Sequence, residues 1–571
     1  MPLLSALLCA AAWATGPATT IQTLHVEVPM RDGVDLYANV FRPASAGRVP
    51  VILYRTPYGK GASITPNWQA FVDRGYAVVV QDVRGRYESE GTFRPLDQEG
   101  VDGDDTINWV ARQPWSDGKV AMTGGSYLGI VQWKAALTNN PHLKAIFPWV
   151  SGCDDYQDRF YSPGGAVKLG QRLLWMAENL KERGYTPDFN KYIWHLPLRT
   201  SDVPATGRTS DMYQAAIRHP GFDGFWKRIS TREHIGKIKV PVFSVGGWYD
   251  NFVESDLEAM VALRKTSGVH RIVVGPWAHD MRYRFPGVDF GPDAATPLRS
   301  LQLQWFDQWL KGKDTPILSR PPVRIFVMGA NRWREESEWP PARARITAWY
   351  LESKGRANSL RGDGVLGAKP ARGAQPDRFT YDPRSPAPTR GGAVCCNPRV
   401  FPWGPMDQRS VESRPDVLVY TSKPLKNEIE VTGPVRVVLY AATSARDTDF
   451  TAKLVDVFPD GQARNLTDGI LRLRYRDSLE KPVLARPGET YRIMIDAGVT
   501  SNLFKKGHRI RIEVSSSNFP RFDRNPNTGG PIAEETQLRK ADQTIYHNAQ
   551  HPSCVLLPVM TPEGAEGTSG R

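Results

Sequence analysis

Ser126 lies in a sequence pattern that suits a catalytic nucleophile. The segment Met122–Gly129, MTGGSYLG, follows a predicted strand and precedes a helical run at 131–137. Glycines beside a serine at a strand-to-helix turn permit strained backbone angles, which project the hydroxyl above the sheet near the positive end of a helix. The spacing is G-x-S-x-x-G rather than G-x-S-x-G, so the motif alone also fits a glycine-rich turn with a polar cap.

Two later segments provide partners for that serine. Asp250 ends VGGWYD, directly after one predicted strand, and His279 ends VGPWAH, directly after the next. Serine, aspartate, histidine is the chain order of α/β-hydrolase triads. A neutral imidazole can remove the serine proton, and a buried carboxylate orients and stabilises the imidazolium. We therefore predict a Ser126, Asp250 and His279 triad; the other histidines are expected to be surface or structural.

A tetrahedral oxyanion formed at Ser126 would need hydrogen-bond donors. The backbone N–H of Tyr127, the residue after the nucleophile, is one by geometry. The second is expected from the loop after an early strand, where the sequence reads RTPYGK over residues 55–60. The Tyr58 phenol could donate there, although the pattern fits a structural tyrosine equally well.

Short apolar runs predict the elements that would hold these residues. Runs at 49–54, 76–80 and 119–122 are separated by helix-length segments, the pattern of strands buried on both faces of a parallel sheet. The fold class is therefore α/β, with a hydrolase domain at 20–150 and 239–315. The mostly helical segment 151–238 interrupts it and is predicted to form a cap.

The C-terminal part of the chain is predicted to be all-β. A Pro-containing stretch ending at Pro322 marks the boundary, and alternating apolar and polar residues follow. We predict a β-sandwich over 320–558 and a flexible tail over 559–571.

Composition excludes several classes of protein. Of 571 residues, 40% are hydrophobic and 23% charged, too little charge for a disordered chain. The net charge of +13 raises the possibility of a nucleic-acid partner. However, the basic residues are scattered, and none forms a run interleaved with aromatics, so we expect no nucleic-acid partner. No zinc site is expected, because no cysteines have Cys-x-x-Cys spacing. No other metal and no cofactor are expected either.

The N-terminus resembles an export signal. Residues 1–14 are apolar and small and end in the small-x-small sequence AWA, although the stretch is short and has no basic side chain. We expect an exported, periplasmic or secreted protein without a membrane span. Of the cysteines that would remain after cleavage of the signal peptide, Cys395 and Cys396 are adjacent and are not expected to pair with each other.

Several motifs together resemble the CocE/NonD hydrolases, a group of esterases, acylases and X-prolyl dipeptidyl-peptidases. The matching segments are YRTPY at 54–58, DVRG at 82–85, GGSYLG at 124–129, GWYD at 247–250, GPWAH at 275–279, GPMDQR at 404–409, DVFPDG at 456–461 and SSSNFP at 515–520. The resemblance covers nearly the whole chain after the signal region. It implies an α/β-hydrolase domain, a helical cap inserted after the sixth strand and a C-terminal jelly roll.

The resemblance also implies roles for individual residues. Ser126, Asp250 and His279 would form the triad, and Tyr58 with the Tyr127 N–H the oxyanion hole. Trp175 in the cap and Phe252 beyond Asp250 would contact the acyl group, although each could equally be a core residue.

Three functions fit this sequence. The first is a serine hydrolase that cleaves a small-molecule ester or amide through an acyl-enzyme. The second is an X-prolyl dipeptidyl-peptidase or α-amino ester hydrolase, which needs an acidic anchor for the substrate ammonium; Asp154, Asp155 and Asp158 are acidic but could simply face solvent. The third, of another class, is a secreted binding protein with an inert hydrolase domain. A homo-oligomer remains open.

Overall fold

The computed structural model describes residues 19–44, 47–95, 97–266, 268–371 and 374–561. It has an α/β N-terminal part and an all-β C-terminal part, which confirms the predicted fold class. The predicted signal peptide, 1–14, lies outside the described residues, and export stays a prediction. Within the described residues, no helix is long and apolar enough to cross a membrane.

The first sheet carries the catalytic-motif segments. Its strands, in chain order, are β1 (Thr20–Pro29), β2 (Asp35–Pro43), β3 (Val49–Thr56), β4 (Ala77–Asp82), β5 (Ser116–Gly125), β6 (Leu143–Trp149), β7 (Val242–Tyr249) and β8 (His270–Ala278), followed after the small β9–β10 hairpin (Arg284–Phe285, Val288–Asp289) by β11 (Val323–Val327) and β12 (Arg332–Glu336). Their order across the sheet is β1-β2-β4-β3-β5-β6-β7-β8-β11-β12. The central strands from β4 to β11 run parallel, and their carboxyl ends therefore share one edge.

Helices cover both faces of this sheet, because its central strands are apolar on both sides. Every residue of β4 and of β7 is buried. The helices associated with the sheet are α1 (Pro66–Val72), α2 (Glu99–Ala111), α3 (Tyr127–Ala136), α10 (Val253–Leu263) and α11 (Leu298–Lys311).

The chain between β6 and β7 is helical and forms the cap. Its helices are α4 (Leu169–Asn179), α5 (Phe189–Tyr192), α6 (Asp202–Thr206), α7 (Asp211–Ile217), α8 (Gly224–Ile229) and α9 (Thr231–His234). Apolar residues at helical spacing on α4, including Leu169, Leu173 and Met176, are buried in the cap's own core.

The β11–β12 hairpin differs from the predicted organisation. Residues 323–336 fall inside the predicted sandwich range of 320–558, but β11 pairs in parallel with β8 of the first sheet. Val323, Ile325 and Val327 are fully buried, so β11 gains more from extending the first sheet than from an exposed position on the sandwich.

The all-β part forms a second sheet. It contains β13 (Ala344–Glu352), β14 (Val365–Gly367), β15 (Asp377–Tyr381), β16 (Leu418–Thr421), β17 (Ile429–Thr443), β18 (Asp449–Val457), β19 (Ala463–Arg472), β20 (Tyr491–Phe504), β21 (Arg509–Ser515), β22 (Ala541–Tyr546) and β23 (Cys554–Met560), with the short helix α12 (Arg409–Glu412). A jelly-roll topology stays a prediction. β23 runs two residues into the predicted tail of 559–571, of which 562–571 lie outside the described residues.

The two parts share one apolar core. Trp248 and Val274 of the first sheet belong to the same buried cluster as Phe450 and Ile512 of the second. The cap is also tied to the β region: the Gly170 N–H donates to the Pro520 carbonyl at 2.7 Å.

We predict that residues 20–315 expressed alone will be insoluble or unstable. This fragment lacks β11, which leaves β8 as an open parallel edge, and it uncovers the apolar face that packs on the β region. A fragment of residues 20–337 covers the β8 edge with β11 but still lacks the β region that covers the apolar face. It should also be insoluble or unstable. Solubility, size-exclusion profile and cooperative unfolding are the measurements; a monomeric fragment that unfolds cooperatively would contradict the shared core.

Candidate active site

The turn at Ser126 has the geometry of a nucleophile elbow. Ser126 follows β5 directly and has φ +55° and ψ −124°, a region that residues other than glycine rarely occupy. A Cβ on Gly124 would lie 2.3 Å from the Leu128 Cβ, and one on Gly125 would lie 2.6 Å from the Trp149 ring. Glycine is therefore required on the N-terminal side for the strand to turn sharply into α3.

Ser126, His279 and Asp250 form one chain of hydrogen bonds. The His279 Nε2 atom lies 3.1 Å from the Ser126 Oγ, and its Nδ1 atom lies 2.6 Å from the Asp250 Oδ2. The three residues directly follow β5, β8 and β7, which is why the side chains of Ser126 and Asp250, 124 positions apart in the chain, meet with His279 at one sheet edge. The structure thus brings all three sequence-predicted residues together.

Burial and a backbone hydrogen bond hold the Asp250 carboxylate in place. The Asp250 side chain is fully buried, and its second oxygen accepts the Phe252 N–H at 3.0 Å. With one oxygen fixed by the backbone, the other points at the imidazole. The Nδ1 atom of His279 therefore carries a proton for Asp250, and Nε2 is left to accept one from Ser126.

Tyr58 lies beside the serine, with its hydroxyl oriented by the cap. The Trp175 Nε1–H donates to the Tyr58 oxygen at 3.1 Å, and the Ser126 side chain is near enough to the phenol to affect the pKa of Tyr58. An indole N–H only donates, so the Tyr58 oxygen is an acceptor there and its own proton is free for another acceptor. Although part of the ring is exposed, burial raises the pKa of the Tyr58 hydroxyl, which keeps this donor protonated.

The Tyr127 backbone N–H begins α3 and belongs to the first turn, where helix N–H groups lack intrahelical partners. The Tyr127 side chain is anchored away from the serine: its hydroxyl donates to the Glu99 Oε1 at 2.6 Å, and Arg55 Nη1 lies 2.9 Å from the Glu99 Oε2. Burial is the main reason that the pKa of Glu99 is raised. This buried group fixes the residue after Ser126, and the sequence offered no signal for it.

A cleft opens beside the Ser126 hydroxyl, with about 490 Å³ of empty space that includes its mouth to solvent. Trp175 and Phe252, the predicted acyl contacts, both line it. Trp175 stacks on the Tyr127 ring with centroids 6.2 Å apart, and the Phe252 ring lies 5.7 Å from the His279 imidazole. A larger open pocket near the β9–β10 hairpin, with about 850 Å³ of empty space, is lined by none of Ser126, Asp250 and His279.

The Cys395–Cys396 segment of the β region also lines the cleft and corrects a sequence expectation. The structure pairs these two neighbours in a disulfide. Cys396 has φ +147°, a backbone conformation that residues other than glycine rarely adopt and that adjacency in the sequence does not reveal. Cys153 and Cys554 are free and buried.

The acidic residues considered as ammonium anchors do not face solvent and do not line the cleft. Asp154, Asp155 and Asp158 are all buried and bonded within the protein. Asp155 pairs with Lys134 and Arg159, and Asp158 accepts the Asp154 N–H at 2.7 Å.

Sequence reasoning missed two arginines, Arg159 and Arg172, that line the cleft instead. Arg172 stands three residues before Trp175 on α4, and residues three apart share a helix face. That spacing was the available signal. No group of three or more His, Cys, Asp or Glu side chains in the described ranges is arranged to hold a metal ion.

Comparison with known proteins assigns the family. Residues 32–280 match the model of the X-Pro dipeptidyl-peptidase (S15 family), and residues 317–556 match the X-Pro dipeptidyl-peptidase C-terminal non-catalytic domain. The chain is 40% identical to the cocaine esterase of Rhodococcus sp. (strain MB1 Bresler), over 94% of this chain and 98% of that one. The chain belongs to the CocE/NonD family of hydrolases. It is therefore a hydrolase enzyme, as the sequence motifs predicted.

Solved structures agree with this membership. An α-amino acid ester hydrolase matches with a TM-score of 0.83 at 27% identity, covering 97% of this chain and 98% of that one. An aminopeptidase from a marine sediment Thaumarchaeota archaeon matches with a TM-score of 0.82 at 27% identity, covering 98% and 99%. The family model of the C-terminal domain begins at residue 317, so it includes β11 and β12 even though they pair with the first sheet.

We predict that Gly129→Ala will destabilise the protein by about 1–3 kcal/mol, the range for overpacking a close contact. Gly129 lies in α3, where alanine is otherwise favourable, but its Cβ would lie 2.4 Å from the Ser151 Cβ. Gly224→Ala, with open space around the added atom, is the matched control and should be neutral or slightly stabilising. Free energies of unfolding from denaturant titration compare the two variants. An equal change in stability for both would show that the close contact between Gly129 and Ser151 does not matter for the packing of α3.

Proposed function

We propose that this enzyme cleaves a small ester or amide through an acyl-enzyme formed on Ser126, with His279 as general base and Asp250 orienting the imidazole. The observation that supports it most directly is the continuous hydrogen-bond chain from the serine hydroxyl to the buried carboxylate. The strained backbone of Ser126 supports it as well, because such strain is typical of nucleophile elbows.

Each proton transfer has a group in place. His279 Nε2 takes the Ser126 proton as Oγ bonds to the substrate carbonyl carbon, and the imidazolium gives that proton to the departing alcohol or amine. Water then attacks the acyl-enzyme in the same way, with His279 again transferring the proton, and the acid is released. Asp250 stays ionised and stabilises the imidazolium formed in each half.

The oxyanion of each tetrahedral intermediate would be held by two donors. One is the Tyr127 N–H at the start of α3, and the other is the Tyr58 hydroxyl, whose oxygen is already engaged by Trp175. Because both donors are held before the reaction, little reorganisation is required as charge develops on the carbonyl oxygen.

Among the family's activities, the cleft favours an esterase or acylase over an aminopeptidase or α-amino ester hydrolase. An ammonium on the substrate needs a carboxylate in the cleft, and Asp154, Asp155 and Asp158 are buried against other protein groups. Trp175 and Phe252 provide the apolar walls for an acyl chain.

We predict that Ser126→Ala removes nearly all turnover of 4-nitrophenyl esters and abolishes covalent labelling by a fluorophosphonate, since the nucleophilic oxygen is gone. Residual turnover on the order of a thousandfold over water is expected from the remaining donors. Ser410→Ala, at an exposed site on α12, is the matched control and should label normally. A wild-type protein that does not label would favour the alternative of a secreted binding protein with an inert hydrolase domain.

We predict that Tyr58→Phe lowers kcat by roughly a hundred- to a thousandfold with little change in stability, since only the oxyanion donor is removed. KM should move little, because the charge on the carbonyl oxygen develops near the transition state. Tyr37→Phe removes a surface hydroxyl that donates to Glu27 at 3.3 Å and should leave kcat unchanged. A lower melting temperature with normal kcat for Tyr58→Phe would instead indicate a structural tyrosine.

A further inference from the structure

Arg86 joins the loop that contains Tyr58 to the cap. It directly follows the DVRG motif at 82–85, which begins at the last residue of β4 and which the proposed mechanism does not use. The Arg86 Nε donates to the Pro57 carbonyl at 3.0 Å, and its Nη2 donates to the Asn179 carbonyl at 2.7 Å. Pro57 directly precedes Tyr58, and Asn179 is the last residue of α4. One guanidinium thus links the loop after β3 to the cap.

The peptide unit before Tyr58 is bonded at both of its polar groups. Its carbonyl, that of Pro57, accepts from Arg86. Its N–H, that of Tyr58, donates to the Thr56 Oγ1 at 3.0 Å. With both groups bonded, this peptide unit is held against rotation. Arg86 and Thr56 therefore fix the direction in which the Tyr58 side chain leaves the loop.

The other contact of Arg86 fixes the part of the cap that orients the Tyr58 hydroxyl. Trp175 lies one turn before Asn179 on α4, and the Asn179 side-chain amide donates to the Trp175 carbonyl at 2.8 Å. The last carbonyls of a helix lack intrahelical partners, and a cation is favourable beside them. Trp175 in turn donates to the Tyr58 oxygen at 3.1 Å. These contacts close a ring that runs from Arg86 through Tyr58 and Trp175 and back to Arg86.

The surroundings of Arg86 suit a bridge between two carbonyls. Within the parts of the chain that the structure describes, Arg86 forms no ion pair with a carboxylate. Its central carbon lies 5.4 Å from the Tyr87 ring centre and 5.5 Å from that of Phe93. A planar guanidinium packed against rings presents its donors in a fixed geometry. Arg86 does not line the cleft beside Ser126, so any effect on catalysis is exerted through other residues.

We propose that Arg86 is a positioning residue for the oxyanion site. It holds the Tyr58 hydroxyl and the Trp175 indole at a fixed distance from each other, so that the phenol proton is directed at the substrate carbonyl oxygen. A donor displaced by about 1 Å loses much of its effect on the transition state and little of its effect on substrate binding. This inference rests on the proposed function, because it assumes that Tyr58 donates to the oxyanion.

Steady-state kinetics with 4-nitrophenyl acetate give the first test. We expect Arg86→Met to lower kcat by roughly ten- to a hundredfold, less than Tyr58→Phe does, because the donor is displaced rather than removed. KM should change by less than about twofold, since Arg86 does not line the cleft. A wild-type kcat in Arg86→Met overturns the proposal.

Arg271→Met is the matched control. Arg271 is the second residue of β8, at the end of the strand opposite His279. Like Arg86, it bonds backbone carbonyls: its Nη2 donates to the Leu318 carbonyl at 2.6 Å, and its Nη1 donates to the Pro321 carbonyl at 3.1 Å. Loss of these bonds should lower the melting temperature and leave kcat unchanged. An equal loss of kcat in both variants overturns the proposal.

A double-mutant comparison distinguishes positioning from a structural role. If Arg86 acts through the Tyr58 hydroxyl, Arg86→Met should lower kcat by less than about twofold in an enzyme that already carries Tyr58→Phe. A structural role predicts that the two losses multiply, because the variants would then act independently. Losses that multiply overturn the proposal.

Arg86→Lys covers the case in which Arg86→Met does not fold. Lysine keeps the positive charge at the end of α4 but lacks the planar pair of donors that bonds the two carbonyls. We expect kcat to fall by roughly three- to tenfold, the range for one hydrogen bond, and only when the Tyr58 hydroxyl is present. A wild-type kcat, or a loss that multiplies with that of Tyr58→Phe, overturns the proposal.

The outcomes also separate the two proposals. A wild-type enzyme that labels with a fluorophosphonate and loses kcat in Tyr58→Phe, but keeps it in the Arg86 variants, removes only the present inference. Absence of both turnover and labelling in the wild type removes the proposed function. A normal kcat in Tyr58→Phe removes the tyrosine donor and the present inference together, and leaves the acyl-enzyme on Ser126.

Discussion

The contact between the Asp250 carboxylate and the His279 imidazole is the interaction on which the rest of the site depends. At 2.6 Å, it decides which imidazole nitrogen faces the serine. It exists because β7 and β8 are adjacent and parallel, so that the residues after them lie at the same edge of the sheet. Complete burial of Asp250 strengthens the contact by excluding water, and the Phe252 N–H prevents the carboxylate from rotating away.

Three parts of the chain build the cleft around that contact. The hydrolase sheet contributes the serine and the start of α3, the cap contributes Trp175 and Arg172, and the β region contributes the Cys395–Cys396 segment. The indole of Trp175 has two effects: it forms a wall of the cleft and it orients the Tyr58 hydroxyl. The position of the cap therefore couples the shape of the cleft to the orientation of the Tyr58 hydroxyl.

The sequence was sufficient to predict which side chains meet where they directly follow strands of the sheet. Ser126, Asp250 and His279 each follow an apolar run directly, so a parallel sheet had to bring them to one edge. The sequence was insufficient where packing between distant segments determines which residues come together. Arg172 faces the cleft only because of how α4 packs over the sheet, and β11 joined the first sheet because β8 offered an apolar parallel edge. The Cys395–Cys396 pairing depended on a backbone conformation that residue spacing does not reveal.

The acyl-enzyme on Ser126 is the central claim, and quenched-flow mass spectrometry during turnover of a 4-nitrophenyl ester tests it most directly. The account predicts a burst of nitrophenol approaching one equivalent per enzyme, together with an added acyl mass on the peptide that contains Ser126. Steady turnover with the acyl mass on a peptide that lacks Ser126 would contradict it. So would the absence of both a burst and an adduct with an ester whose acylation is faster than its deacylation.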